Sequence, residues 1–217
     1  MKKKILILAA HPDDETLGCG ATIAKLSKQN HDIELLTFTN GESARDDYDG
    51  QNRNDSLNKV SKILGIKKFK NGNFPDNKMD SIPLLDVCKF IEKEVEEIPD
   101  IIFTHHPGCL NIDHNIVFRA AITVFRPQSK KEIEINCFEI PSSTEWNPNN
   151  NFECNLYINV EGFVEKKIEA LKVYDKEMRP YPHPRSYDSI LNKMKSSGNE
   201  VSLSYAEKFQ TMRRIII

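Results

Sequence analysis

The sequence predicts an α/β fold with a mostly parallel β-sheet and helices on both faces. Two observations carry this prediction. From residue 3 to residue 126, short apolar runs alternate with segments whose apolar residues recur at helical spacing. The length of 217 residues and the 39% apolar content also suffice for one domain with a full core. We therefore expect a single domain over residues 1–217.

The first half of the chain follows a strand–helix rhythm. The apolar run at 3–10 has the composition of a buried parallel strand, and the segment 15–29 carries a helical stripe that includes Leu17, Ile23 and Leu26. The later elements of this half are predicted as a strand at 33–39, a polar loop at 40–50, a helix at 53–64 ending at Gly65, a strand at 67–69, a turn-rich loop at 72–77, a helix at 84–97, a strand at 100–105 and a helix at 115–126.

The last third of the chain breaks this rhythm. Strands are predicted at 134–140 and 155–160, and helices at 161–177 and 187–195. The segment 179–186 contains too many prolines for either regular structure. We expect this irregular third to complete a pocket built by the first part.

Composition excludes several classes of partner. With 30 Lys and Arg against 32 Asp and Glu, the net charge of −2 offers no electrostatic case for nucleic acid or a membrane surface. No apolar run has the length of a membrane span, and the run after the first lysines is too short for a secretion signal. The five scattered cysteines form no Cys-x-x-Cys pair, so we expect free thiols and a cytoplasmic location.

Polar residues follow the first predicted strand directly, in the run His11-Pro12-Asp13-Asp14-Glu15. In open α/β sheets the carboxyl ends of the strands form the ligand-binding edge. An imidazole and a carboxylate, here His11 and Asp14, are ordinary zinc ligands, and Asp13 is then free to act as the base for a metal-activated water. The same acids also suit the start of a helix, with Asp13 or Asp14 as N-cap and Glu15 facing the helix dipole.

A second polar cluster follows the strand at 100–105 and contains His105, His106, Cys109, Asp113 and His114. Both clusters should lie at the same edge of a parallel sheet. One histidine of this cluster would complete a ligand set with His11 and Asp14, leaving the fourth position to water as in catalytic zinc sites. Because side chains alternate along a strand, we expect His106 rather than His105 to face the pocket.

At these residues the chain resembles the PIG-L/LmbE-type zinc de-N-acetylases, strongly over residues 3–126 and more loosely beyond. The resemblance rests on the run from Ala10 to Glu15 and on Asp113-His114 downstream. It implies a Rossmann-like fold and hydrolysis of an acetamide on an amino sugar or sugar conjugate. It also implies Zn²⁺ on His11, Asp14 and His114, with Asp13 as general base.

Two positions depart from the family pattern. Asn111 stands where many members have a histidine, and an asparagine can donate a hydrogen bond to an oxyanion but supplies no proton at neutral pH. The general acid is therefore open between His106, His183 and Asp13. Arg53 matches a position that contacts substrate in relatives, but the glutamate that often follows it is absent.

Several further side chains are candidates to support the site or contact substrate. Asp113 is expected to orient a neighbouring group, and Cys109 to fill space beside the site. His183 and Arg185 lie in the proline-rich segment and could fold over the pocket, where Arg185 would grip an anionic group. Trp146 could form a wall for a sugar. The alternative for the proline-rich segment is a stiff surface turn, and the alternative for Trp146 is a loop residue pinned to the core.

Three functions stay open at this point. The first is a zinc-dependent deacetylase acting on a small N-acetylated sugar or sugar conjugate, and the second is a zinc amidase acting on a formamide or a non-sugar acylamine. The third is a non-catalytic Rossmann-like binding module, which the acidic first turn and the lack of a glycine-rich phosphate loop disfavour. The same ligands would accept iron or manganese, and a homo-oligomer is possible.

Overall fold

The structure is a computed structural model that describes residues 1–40, 53–128, 132–149 and 151–216, with the backbone alone at residues 53 and 54. The strands are β1 (Lys4–Ala9), β2 (Asp32–Thr39), β3 (Lys68–Phe74), β4 (Ile101–His105), β5 (Glu134–Phe138), β6 (Leu156–Asn159) and β7 (Ala206–Arg213). The helices are α1 (Asp14–Lys28), α2 (Arg53–Leu64), α3 (Leu84–Glu94), α4 (Ile112–Val124), α5 (Val164–Val173) and α6 (Tyr187–Asn199), with short 3₁₀ turns at Met79–Ser81 and Asp175–Glu177.

The seven strands form one sheet in the order β3-β2-β1-β4-β5-β7-β6. Strands β1 to β5 are parallel, whereas β7 pairs antiparallel with both β5 and β6. The chain leaves β1 toward β2 and β3 on one side, then returns to build β4 and β5 on the other. The topological switch point, where α/β sheets bind ligands, therefore lies between β1 and β4. The prediction of a mostly parallel sheet is confirmed.

Two hydrophobic cores cover the two faces of the sheet. Alternate residues of β1 face opposite cores, because side chains alternate along a strand: Ile5 and Ile7 pack with residues of α1, α2 and α5, and Leu6 and Leu8 with residues of α3 and α4. The prediction of helices on both faces is thus also confirmed. No helix in the described ranges is long and apolar enough to cross a membrane. All five cysteines are free.

Helix α1, which leads out of the predicted metal motif, bends at Cys19, whose backbone is non-helical. At the bend the buried ammonium of Lys167 donates to the carbonyl oxygen of Leu17 at 2.8 Å and to Oε1 of Glu207 at 2.6 Å. The Glu207 carboxylate in turn accepts from the backbone N–H of Ala21 at 3.2 Å. The ion pair therefore supplies partners to backbone groups on both sides of the bend.

The observed elements differ from the predicted ones in a few places. Strand β7 was not predicted, and β3 continues to Phe74 instead of ending at 69. Helix α4 begins at Ile112, three residues earlier than predicted, because Asn111 caps it: its side chain accepts from the backbone N–H groups of Asp113 and His114. The predicted loop at 40–50 falls, apart from residue 40, outside the described residues.

Candidate active site

The two polar clusters predicted from the sequence meet at the carboxyl edge of the sheet. The loop after β1 carries His11, Asp13 and Asp14, and the loop after β4 leads into α4, which carries Asp113 and His114. These side chains are buried or nearly so. The site therefore lies beside the switch point between β1 and β4, the expected position in this architecture.

Three side chains present donor atoms to a common point. Asp14 Oδ2 lies 3.1 Å from Nδ1 of His11 and 3.2 Å from Nε2 of His114, and these two nitrogens are 3.2 Å apart. In a tetrahedral site with bonds of about 2.0 Å, neighbouring donor atoms lie about 3.3 Å apart. The second oxygen of Asp14 is buried and has no hydrogen-bond partner among the described residues. The three residues therefore fit a metal ion.

The electrostatics of this cluster also favour a cation. Burial opposes a charge on His11 and His114, yet neighbouring carboxylates raise the pKa of both, that of His114 to about 9 through Asp14. The carboxylates thus stabilise positive charge at this point. A metal ion would supply that charge once the imidazoles have lost their protons.

Two further carboxylates stand behind His11, on the side away from the three donor atoms. Nε2 of His11 lies 3.1 Å from Oδ2 of Asp113 and 3.2 Å from Oδ1 of Asp76. Asp113 is itself fixed, since its two oxygens accept from the backbone N–H groups of Asn77 at 2.7 Å and Met79 at 3.0 Å. Asp113 therefore contacts a histidine of the cluster, as expected of an orienting carboxylate. Asp76 follows β3 in a segment that the sequence showed only as a turn-rich loop.

Cys109 has a more specific contact than that of a space-filling residue. Its Sγ lies 3.0 Å from Nδ1 of His114 and 2.9 Å from Oγ of Ser143. Burial alone would raise the pKa of this thiol, but the hydrogen bonds from His114 and Ser143 lower it to about 7. Cys109 thus contacts the ring nitrogen of His114 that faces away from the three donor atoms.

Asp13 stands next to the cluster in a strained backbone conformation. Its φ of 135° is one that residues other than glycine rarely adopt. Its backbone N–H donates to Oε2 of the buried Glu15 at 3.1 Å. Burial and the neighbouring charge of Asp14 raise the pKa of Asp13 to about 7, although the guanidinium of Arg185 opposes them. A carboxylate with this pKa is matched to general-base work near neutral pH. Its side chain makes no N-cap bond to α1.

His105, not His106, lies in the cluster, so the structure differs here from the expectation. The His105 ring stacks on His114 at a centroid distance of 3.9 Å, and its Nε2 accepts from the backbone N–H of Ala10 at 2.8 Å. His106 instead turns away, accepts from the N–H of Gly108 and packs edge-on against Phe152. Alternation along the strand separates the two rings as expected, but it does not tell which face the cluster occupies.

Asn111 is committed to the start of α4. Its Oδ1 caps the helix, and its Nδ2 donates to Oδ1 of Asn77 at 3.0 Å. The side chain therefore joins α4 to the loop that carries Asp76. One of its two N–H protons already has a partner, which leaves at most one for a substrate oxygen.

Of the predicted substrate residues in the C-terminal third, Arg185 contacts Asp13, and His183 and Trp146 lie next to Arg185. Nη1 of Arg185 lies 3.3 Å from Oδ2 of Asp13, and its Nε donates to the backbone of Pro141 and the side chain of Ser142. The exposed Trp146 packs edge-on against His183 at 5.3 Å, and His183 accepts from the backbone N–H of Arg185. The side chain of Arg53 lies outside the described residues.

Comparison with known proteins places this site in a family. Residues 6–125 match the PIG-L family, described as GlcNAc-PI de-N-acetylase. YaiS of Escherichia coli, an uncharacterized deacetylase, is 31% identical over 131 residues, which cover 58% of this chain and 69% of YaiS. A probable N-acetyl-alpha-D-glucosaminyl L-malate deacetylase of Bacillus anthracis is 24% identical over 187 residues, which cover 80% of each protein.

A solved structure shows the same fold. The N,N'-diacetylchitobiose deacetylase of Pyrococcus horikoshii superposes with a TM-score of 0.76 at 21% identity, covering 97% of this chain and 84% of that enzyme. The matched family segment contains the loop after β1, the loop after β4 and the first turns of α4, which together hold the donor atoms described above. The chain therefore belongs to the PIG-L family of de-N-acetylases.

Proposed function

We propose that this protein is a metal-dependent hydrolase that removes the N-acetyl group from an amino sugar or sugar conjugate. The observation that carries the proposal is the convergence of His11, Asp14 and His114, with their donor atoms 3.1 to 3.2 Å apart, beside the buried carboxylate of Asp13. Family membership supports the C–N bond of an acetamide as the bond that is cut. The substrates named for the relatives support a small sugar derivative as the partner.

Zinc is the metal that we propose for the three ligands. Two imidazole nitrogens and one carboxylate oxygen are a common donor set of catalytic zinc sites, which keep a fourth position open. Bound there, Zn²⁺ supplies a water of lowered pKa and polarises the carbonyl oxygen of the acetamide. Iron or manganese would accept the same donors, so the metal has to be identified by measurement.

Asp13 is the proposed general base. Its carboxylate takes a proton from the attacking water as the oxygen bonds to the acetamide carbon, and it then returns this proton to the departing nitrogen as the C–N bond breaks. The products are acetate and the free amine. We assign both proton transfers to Asp13, because His106 contacts Gly108 and Phe152 and Asn111 carries no acidic proton. The second candidate for the acid is His183, whose ring accepts from the backbone N–H of Arg185.

Neighbouring residues hold the reacting groups in place. Asp113 and Cys109 contact the outer nitrogens of the two histidine ligands and fix their rings. Arg185, His183 and Trp146 are proposed to contact the substrate, with the Trp146 ring against an apolar sugar face. Arg53 is a further proposed contact. The cytoplasmic location and assembly into homo-oligomers stay predictions.

The proposal is tested on protein purified without a metal-binding tag. We expect about one metal ion per chain by elemental analysis, and release of acetate in equal amount with free amine from N-acetylglucosamine conjugates. Asp13→Asn should keep the metal and lose turnover. Formate release from N-formyl analogues, without acetate release, would favour the second hypothesis. Failure to bind any of zinc, iron or manganese when each is supplied would refute the proposal.

A further inference from the structure

The sheet opens between β1 and β4 at its carboxyl edge. β1 pairs with β4 only from Ile5 to Ile7, although it pairs with β2 as far as Ala9. β4 likewise pairs with β5 as far as His105. Over these fully described strands, the central ladder thus ends two residues before its neighbours on either side. A sheet that parts in this way needs other partners for the backbone groups along the gap.

The side chain of His105 fills this gap. Its Nε2 accepts from the backbone N–H of Ala10 at 2.8 Å, where a backbone carbonyl of β4 would otherwise be expected. On the other side, the carbonyl oxygen of Ala10 accepts from the N–H groups of Phe38 and Thr39. Ala10 is therefore held from both sides, immediately before His11. The bond from Ala10 to His105 is thus one of three hydrogen bonds that hold the chain where it leaves β1 toward His11.

One face of the His105 ring stacks against the ring of His114. The two rings are nearly parallel, with an interplanar angle of 17° and a centroid distance of 3.9 Å. Phe138 packs edge-on against His105 at 4.9 Å, so the ring is fixed from a second direction. His105 is completely buried. Rotation of the His114 ring away from its position would require displacement of this packed pair.

His105 is not suited to be a fourth ligand. Its Nε2 lies 3.5 Å from Oδ2 of Asp14, but the lone pair of this nitrogen already accepts the N–H of Ala10. Its other nitrogen, Nδ1, then carries the proton and has no hydrogen-bond partner among the described residues. The ring therefore touches the cluster without offering it a donor atom.

We propose that His105 is a positioning residue that sets both histidine ligands of the metal centre at once. It acts on His11 through the backbone of Ala10 and on His114 through the ring stack. The inference rests on the proposed function, because it assumes that these histidines bind the metal.

The two contacts are separated by matched variants. His105→Gln keeps an acceptor within reach of the Ala10 N–H but removes the ring, and His105→Phe keeps the ring but removes the acceptor. His105→Ala removes both. Thr104→Val is the control, since Thr104 is the preceding residue of β4 and its buried hydroxyl has no hydrogen-bond partner among the described residues. Unfolding of each metal-free variant is followed in urea.

Metal binding is measured with Zn²⁺ against a chromogenic chelator, and ligand geometry by the visible spectrum of the Co²⁺-loaded protein. We expect Zn²⁺ affinity to fall about 10-fold in the Gln and Phe variants and about 100-fold in His105→Ala, the range found for partners of metal ligands. The Co²⁺ spectrum should change in all three, and Thr104→Val should match the wild type in both measurements.

Two results would overturn the inference. One is Zn²⁺ affinity within twofold of wild type in His105→Ala, with an unchanged Co²⁺ spectrum. The other is that none of the three variants folds without metal while Thr104→Val does, which would make His105 a requirement of the fold alone. A wild-type protein that binds no metal would instead refute the proposed function, so the two failures are distinguishable.

Discussion

Nη1 of Arg185 lies 3.3 Å from Oδ2 of Asp13, so the C-terminal third of the chain places a cation directly on the proposed base. Arg185 is itself held by Pro141 and Ser142, which fixes the direction of its guanidinium group. This contact opposes the effects of burial and of Asp14, which raise the pKa of Asp13 to about 7.

Replacing Arg185 should move the acidic limb of the pH–activity profile. Asp13 works as a base only when it is ionised, so kcat/KM of the wild type should rise with pH through the pKa of Asp13. Arg185→Gln removes the group that lowers this pKa, and the limb should shift to higher pH. Arg179→Gln is the control, because the Arg179 guanidinium donates to backbone carbonyls and not to Asp13. An unmoved limb in Arg185→Gln would argue against Asp13 as the titrating base.

Cys109 should matter for metal binding through its contact with His114. Cys109→Ala removes the sulfur atom 3.0 Å from Nδ1 of His114, and we expect Zn²⁺ affinity to fall about 10-fold. Cys109→Ser keeps an acceptor there and should lose less. Competition with a chelator measures both. Equal affinities in the alanine and serine variants would show that the contact does not orient the ligand.

The cap of α4 should contribute measurable stability. Asn111→Ala leaves the N–H groups of Asp113 and His114 without their side-chain acceptor, and should lower the free energy of unfolding by about 1 kcal/mol. Asn111→Ser keeps a capping oxygen and should lose much less stability. Urea unfolding compares the two. If Asn111 also serves the reaction, the serine variant will lose kcat while it retains stability.

The ion pair at the bend of α1 should be costly to break from one side. Lys167 and Glu207 are both buried, so Lys167→Met leaves a carboxylate without its partner and should lower the free energy of unfolding by about 3 to 5 kcal/mol. Adding Glu207→Gln removes that charge and should restore part of the loss. Urea unfolding of the single and double variants gives the coupling. A double variant less stable than the single one would contradict this account.

The sequence was sufficient to locate the site. Two apolar strands end in His11-Pro12-Asp13-Asp14 and in the run from His105 to His114, and parallel strands necessarily bring such ends to one edge. The family pattern then selected His11, Asp14 and His114, whose donor atoms the structure brings within 3.2 Å of one another. Long apolar runs and punctuating polar residues are local signals, which is why they could be interpreted from one sequence.

What escaped prediction depends on distant packing. Strand β7 has no simple alternation, because Glu207 is buried beside Ala206 and is matched by Lys167 from α5. Asp76 follows a turn-rich segment, and contacts of that segment with Asp113 and Asn111 from α4, distant in the sequence, hold it near His11. His105 could not be told from His106, since alternation shows that the two diverge but not which core each one faces.

The placement of Glu207 in β7 also bears on how this protein is made. The three proposed ligands His11, Asp14 and His114 have all been synthesised once the chain has been translated as far as His114. The bend of α1, directly after those first ligands, receives its buried carboxylate only after a further 93 residues, the difference between positions 207 and 114. During synthesis the bend of α1 therefore stays without its buried ion pair until β7 has been made. A nascent chain that stops before residue 206 contains the three proposed ligands but lacks the pair of Lys167 and Glu207.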